Sequence, residues 1–218
     1  MINNLKIKSL LLVISSVFIF TACSGKNEVA EYNKPALYWY NKMLTQISIG
    51  DLDQADDTYT SLESEHRNSP LIATSLLILV NSHIDEEEYS LANFYLDEYI
   101  KRFALSKNID YARYLKIKAN FLGFTYQLRD QELIENTIAD IADFKVKYLN
   151  SPYMPLVDTI NARLYMAKAS LDLSIAKLYE KKGKKEAAAF YTNKVKNSWI
   201  NPDEIEAVNV PYYRSIFE

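Results

Sequence analysis

What most constrains this chain is a spacing. From Ala36 onward apolar residues recur every three or four positions, and the runs are cut at helix-length intervals. Ala36, Leu37, Tyr40, Met43, Leu44 and Ile47 share one helical face before Gly50-Asp51 breaks the run. Leu52, Ala55, Tyr59 and Leu62 mark a second face, which ends at Asn68-Ser69-Pro70. The unit then returns. Leu71 to Ile84 is apolar and helix-length, and Tyr89, Ala92, Leu96 and Tyr99 repeat the second face with a constant shift of 37 residues. Between them, Asp85-Glu86-Glu87-Glu88 is expected to open the next helix, because carboxylates offset the positive end of a helix dipole. No Asn-Gly or Asp-Gly turn joins alternating segments, so hairpins are not expected.

A third pair is expected from Ile109 to Leu128 and from Gln131 to Tyr148. A fourth opens after Asn150-Ser151-Pro152, with a long first helix from Met154 to about Lys182, close to 45 Å at about 1.5 Å per residue. Ile175, Ala176, Tyr179, Gly183 and Ala188 in that unit resemble the tetratricopeptide repeat, a helix–turn–helix whose small Ala lets two helices approach closely. Gly50, Leu52 and Ala55 hold the same relative places in the first unit, while Thr137 stands where the third should have Ala. The expected fold is all-α: a tetratricopeptide-like superhelix of about four helix pairs over residues 36–218, closed by a short helix around Asp203 to Asn209. Stacked neighbours stabilise such arrays, and four units suffice. A helical bundle without repeats is the alternative.

The start of the chain reads as an address. Lys6 and Lys8 precede an apolar stretch from Leu10 to Phe20, followed by the small residues Thr21 and Ala22. That stretch is shorter than a membrane-spanning helix needs. Phe20-Thr21-Ala22-Cys23 resembles the lipobox of bacterial lipoproteins, with Phe20 where Leu is usual. Residues 1–22 are then a removable signal peptide, and Cys23 is the lipid attachment site. The covalent acyl chains, each buried CH2 contributing about 0.8 kcal/mol, hold the protein on the bilayer. A plain signal peptide with an incidental cysteine is the alternative. Ser24 after the cysteine resembles the outer-membrane sorting signal of Gram-negative lipoproteins. Residues 23–35 read as a polar tether.

The chemistry of the chain is sparse. Two His and one Cys are too few for a His/Cys metal cluster or a disulfide framework, and four scattered Gly build no phosphate cradle. No metal, no cofactor beyond the lipid and no nucleic acid partner are expected. The net charge of -3, which becomes more negative once Lys6 and Lys8 leave, offers no basic face to nucleic acid. His66 lies in a Glu-Ser-Glu-His-Arg helix end and reads as solvated. His83 reads as a packed or capping residue beside Asp85. Asp172, the one acid between Ala167 and Ala176, reads as the partner of an Arg or Lys. An enzyme is not expected; a glycan hydrolase would need two convergent acids. The run Lys181-Lys182-Gly183-Lys184-Lys185 reads as a solvated helix end or as a docking patch for an acidic partner.

Three stretches resemble the BamD family of outer-membrane assembly lipoproteins: Asn108-Ile109-Asp110-Tyr111, Tyr148-Leu149-Asn150-Ser151-Pro152-Tyr153, and Asp172 with Ile175, Ala176, Tyr179 and Gly183. Together with Cys23-Ser24-Gly25 they follow the family order. The resemblance implies a lipid-anchored scaffold, facing the periplasm from the outer membrane, within the machine that inserts β-barrel proteins. It implies docking of the C-terminal half on a POTRA domain of a BamA-like β-barrel subunit. It also implies that the N-terminal half receives unfolded outer-membrane protein clients. Repeat geometry then offers Tyr40, Leu44, Leu77, Asn81 and Ile84 as groove residues. The fourth pair offers Lys181, Lys182, Lys184, Lys185, Tyr191 and Lys194 for docking. Departures are a short segment from Asn108 to Asn150, a reduced fifth repeat, and Tyr191 near the place of a family Arg, with Lys194 about one turn later. A pilotin, which escorts a pilus secretin, and a general cell-envelope scaffold are the rival readings.

Overall fold

The computed structural model describes residues 31–127 and 131–200. The signal segment, Cys23 and the helix expected around Asp203 to Asn209 lie outside the described residues. Among the described residues all regular structure is helical. In chain order the helices are α1 (Ala36–Ser48), α2 (Leu52–Glu65), α3 (Leu71–Asp85), α4 (Tyr89–Arg102), α5 (Ile109–Gln127), α6 (Gln131–Lys147), α7 (Met154–Lys181) and α8 (Lys185–Lys196). They form four pairs at the expected places, including the 28-residue α7. Local chemistry sets the ends. Asp51 caps α2, its carboxylate accepting from the Gln54 backbone N–H at 3.3 Å. Pro35 and Pro70 stand at the starts of α1 and α3, and Pro155 in the first turn of α7, where a missing N–H breaks no helical bond.

Each helix packs on its neighbours in sequence, and α1 also meets α3 as α5 meets α7. This is the stacking of a tetratricopeptide-like superhelix. Two cores run through it. The first gathers Trp39 and Met43 of α1, Tyr59 and Leu62 of α2, Leu76 and Leu79 of α3, Leu96 and Tyr99 of α4, and Leu115 of α5. The second gathers Ile117 and Phe124 of α5, Ile141 and Phe144 of α6, and Val157 and Leu164 of α7. Fully burying side chains of this size contributes about 1.5–3 kcal/mol each. Ala55 and Ala92, the small residues of the repeat, are wholly buried. Thr137 takes the same place in the third pair, also wholly buried, and donates its hydroxyl to the Leu133 carbonyl at 2.6 Å. That bond lets a polar residue sit at the helix contact. The last pair is thinner. Its small core is Ala169, Val195 and Ile200, and Val195 is the one buried residue of α8.

Within three of the pairs the turn uses a left-handed residue two positions before the second helix: Gly50 (φ 79°), Glu87 (φ 63°) and Gly183 (φ 71°). Glu87 thus occupies the Gly50 position one repeat on. A Cβ at Gly50 would meet no atom within 4 Å, so a side chain there faces only the backbone penalty. Gly50→Ala is expected to cost about 1 kcal/mol, read as a lower urea midpoint with unchanged slope. The next helix does open directly after the acidic turn, at Tyr89, but not through a capping bond. No acid sits in the first turn of α4, and Glu88, its N-cap residue, makes no capping bond. The Glu88 carboxylate instead turns back to His83 at 2.7 Å, because the histidine is buried and needs a partner more than a solvated helix end does.

Candidate functional site

Two surfaces stand out, one beside the second helix pair and one in the last pair. The first is a cleft of about 260 Å³ beside α3. Ala73, Leu77, Ile78 and Asn81 form one wall, and the far wall is Tyr99 of α4 with Ser106 and Asn108 of the following loop. None of these carries a charge. Asn81 is held in place: its amide donates to the Leu77 carbonyl at 2.6 Å, and its side-chain oxygen accepts from the Tyr111 hydroxyl at 3.2 Å. Leu77 and Asn81 line the cleft. Tyr40 and Leu44 do not line it; they are half-buried on α1 against the first core. Ile84 corrects an expectation. It is 5% exposed and belongs to the core, because α3 is apolar on most of its circumference and its last turn points inward. Ser106 and Asn108 were not expected in the cleft, since spacing within one helix says nothing about the loop that closes it.

The second surface is the far end of the last pair. Lys181, Lys182, Lys184 and Lys185 are all exposed around the Gly183 turn. Tyr191 stacks on Tyr179 with ring centres 5.8 Å apart, and the Lys184 ammonium lies 5.9 Å from the Tyr179 ring. Lys194 lies 5.8 Å from the Tyr191 ring and reaches Asp172 at 3.3 Å. Asp172 is therefore the buried partner of a lysine, as its surroundings suggest, and Lys194 is partly spent on that internal pair. Leu178 and Phe190, which sequence reasoning did not single out, are exposed beside this cluster. The last pair thus exposes Leu178 and Phe190 together with four lysines and a stacked tyrosine pair, residue types that protein-binding surfaces use.

Between the two surfaces lies a joint built from two of the motifs singled out in the sequence. The Ser151 hydroxyl donates to Asp110 at 2.8 Å, across 41 residues. The Tyr153 ring lies 5.1 Å from both Tyr111 and Tyr114, nearly parallel to the latter at 4°. Burial first, then the neighbouring Tyr111 and Tyr153 hydroxyls, push the Tyr114 phenol above its ordinary value. Through Tyr111 the joint also holds Asn81. The Asn-Ile-Asp-Tyr and Asn-Ser-Pro-Tyr segments are thus the two halves of one contact that fixes the third pair against the second and fourth. Among the described residues no three His, Cys, Asp or Glu side chains converge to hold a metal. No helix among them is long and apolar enough to cross a membrane.

Comparison with known proteins follows the same lines. The family described as outer membrane lipoprotein (YfiO) matches residues 32–209. A relative from Helicobacter pylori, named outer membrane protein assembly factor BamD, is 36% identical over 96% of each chain. A protein of the same name from Pasteurella multocida is 29% identical over 84% of this chain and 74% of its own. A third, from Caulobacter vibrioides, is 26% identical over 81% of this chain and 58% of its own. With the repeat fold, the motif joint and a family match that spans every described helix, the chain belongs to the BamD (YfiO) family of outer-membrane lipoproteins.

Proposed function

We propose that this protein is a lipid-anchored scaffold of the outer-membrane β-barrel assembly machinery. The observation that carries this reading is the 36% identity over nearly the whole of both chains to a protein named as an assembly factor. Acylated Cys23 places the array on the periplasmic side of the outer membrane. The fourth pair docks on a POTRA domain of a BamA-like barrel subunit, with Phe190 and Leu178 in the contact and the lysines steering an acidic partner. The uncharged cleft between α3, Tyr99 and the loop after α4 receives unfolded barrel clients. The protein positions partners and carries no reaction of its own.

A pull-down of the tagged, lipidated chain from gently solubilised membranes tests this. A stoichiometric barrel subunit with POTRA domains is the expected outcome; a secretin instead would favour the pilotin reading. The double reversal Lys184→Glu/Lys185→Glu is expected to weaken capture about tenfold, mainly through a slower on-rate, since rim charges steer encounter. Unchanged capture would remove the lysine run from the contact.

A further inference from the structure

We infer that His83 is a proton-held clamp that fastens the first helix pair to the second and is released when its imidazolium gives up a proton. The inference rests on side-chain geometry and stands apart from the client reading above. His83 sits in the last turn of α3 with no exposed surface. Its Nε2 is 3.0 Å from Asp56 of α2, and its Nδ1 is 2.7 Å from Glu88 at the start of α4. The ring lies 5.5 Å from that of Tyr95 in α4, tilted by 22°. Three helices and one turn therefore meet on one imidazole.

A neutral imidazole has one N–H and one lone pair. With carboxylates on both nitrogens, it could satisfy one of them and would turn its lone pair on the other. Only the imidazolium donates to both. The groups that face it are Asp56 from α2, Glu88 from the turn and the Tyr95 phenol from α4. The Tyr95 hydroxyl itself hydrogen-bonds Asp56, with Asp57 and Glu98 nearby. None is a cation. Burial by itself lowers the histidine pKa. The hydrogen bonds to Asp56 and Glu88, and the charges of both, outweigh burial and hold it above its ordinary value. A pKa raised by folding means stability that is complete below about pH 6.5 and lost as pH rises through the folded value. The consequence reaches the cleft, since α3 carries Leu77 and Asn81 and the clamp holds its C-terminal end.

The test is an NMR titration of the two histidines in the full chain, told apart with His66→Gln, joined to amide exchange across pH. His83 is expected to titrate above the ordinary histidine value, and Glu88→Gln or Asp56→Asn to lower that titration point. Opening of α3 and α4 amides, corrected for intrinsic exchange, is expected to rise with pH relative to α6 and α7. The rise is about tenfold for each unit separating the folded and unfolded pKa. His83→Gln should flatten that dependence. If His83→Gln fails to fold, the two carboxylate variants carry the test. A His83 that titrates at or below its ordinary value, or the same pH dependence in wild type and His83→Gln, would overturn the clamp.

Discussion

Phe144→Ala is expected to destabilise the chain by about 3–5 kcal/mol, and to loosen its C-terminal half before its N-terminal half. Phe144 is 1% exposed and packs in the second core with Ile117, Phe124, Ile141 and Leu164. Removing its ring takes apolar area out of the core and leaves a cavity that helices joined on both sides cannot close. The spatial pattern follows from the stacking. Among the described residues Tyr114 is the partly buried side chain that packs against both large cores. Elsewhere the two are coupled through α5 and the Asp110–Ser151 joint, so damage should spread outward from its own core. The two tryptophans make this visible, because Trp39 is buried at 3% and Trp199 is 69% exposed. In a Trp199→Phe background, helicity lost from the C-terminal half should precede the Trp39 emission change during a urea titration. Coincident curves with an unmoved midpoint would show that the cores form one unit and that Phe144 adds little.

Trp39→Ala is the mirror experiment and should cost a similar amount, about 3–5 kcal/mol, in the N-terminal half. The indole packs in the first core, and its Nε1 donates to Glu65 at 2.8 Å, which ties α1 to the end of α2. Trp39→Phe keeps most of the apolar contact and gives up the hydrogen bond, so its expected cost is nearer 1 kcal/mol. Amide exchange should show α1 and α2 opening first while α6 and α7 keep their protection. A loss spread evenly over all eight described helices would contradict the two-core description. α2 is also tied to α4, where Arg102 reaches Glu63 at 2.7 Å and Glu98 at 2.6 Å, and Glu98 also accepts from the Tyr59 hydroxyl at 2.7 Å.

The helices themselves were legible because their causes are local. Apolar spacing, the breaks at Gly50 and Pro70, and the small Ala55 and Ala92 all act within one or two turns, and the eight described helices appear where they put them. Asp172 was legible for a similar reason, since an acid amid apolar and small residues must find a cation. The Asn-Ile-Asp-Tyr and Asn-Ser-Pro-Tyr segments could be recognised but not explained, because each is half of a contact whose other half lies 41 residues away. Ile84 was misread because an almost entirely apolar helix gives no periodic contrast between its core face and its groove face. The acidic turn before α4 was legible as a helix start, but the dipole argument looks to the helix ahead of it and could not show that Glu88 turns back to the buried His83.

What this sequence determined alone was an all-helical repeat array, a charge pattern and a resemblance carried by short motifs. Those are properties of neighbouring residues, whose energies are set by spacing along the chain. Only the tertiary structure decided that Asp56 and Glu88 meet on His83, that Tyr111 holds Asn81, and that Phe190 stays exposed beside the lysines. Each of those depends on which helix faces come together. That choice minimises the free energy of the whole stack, and no single segment contains it.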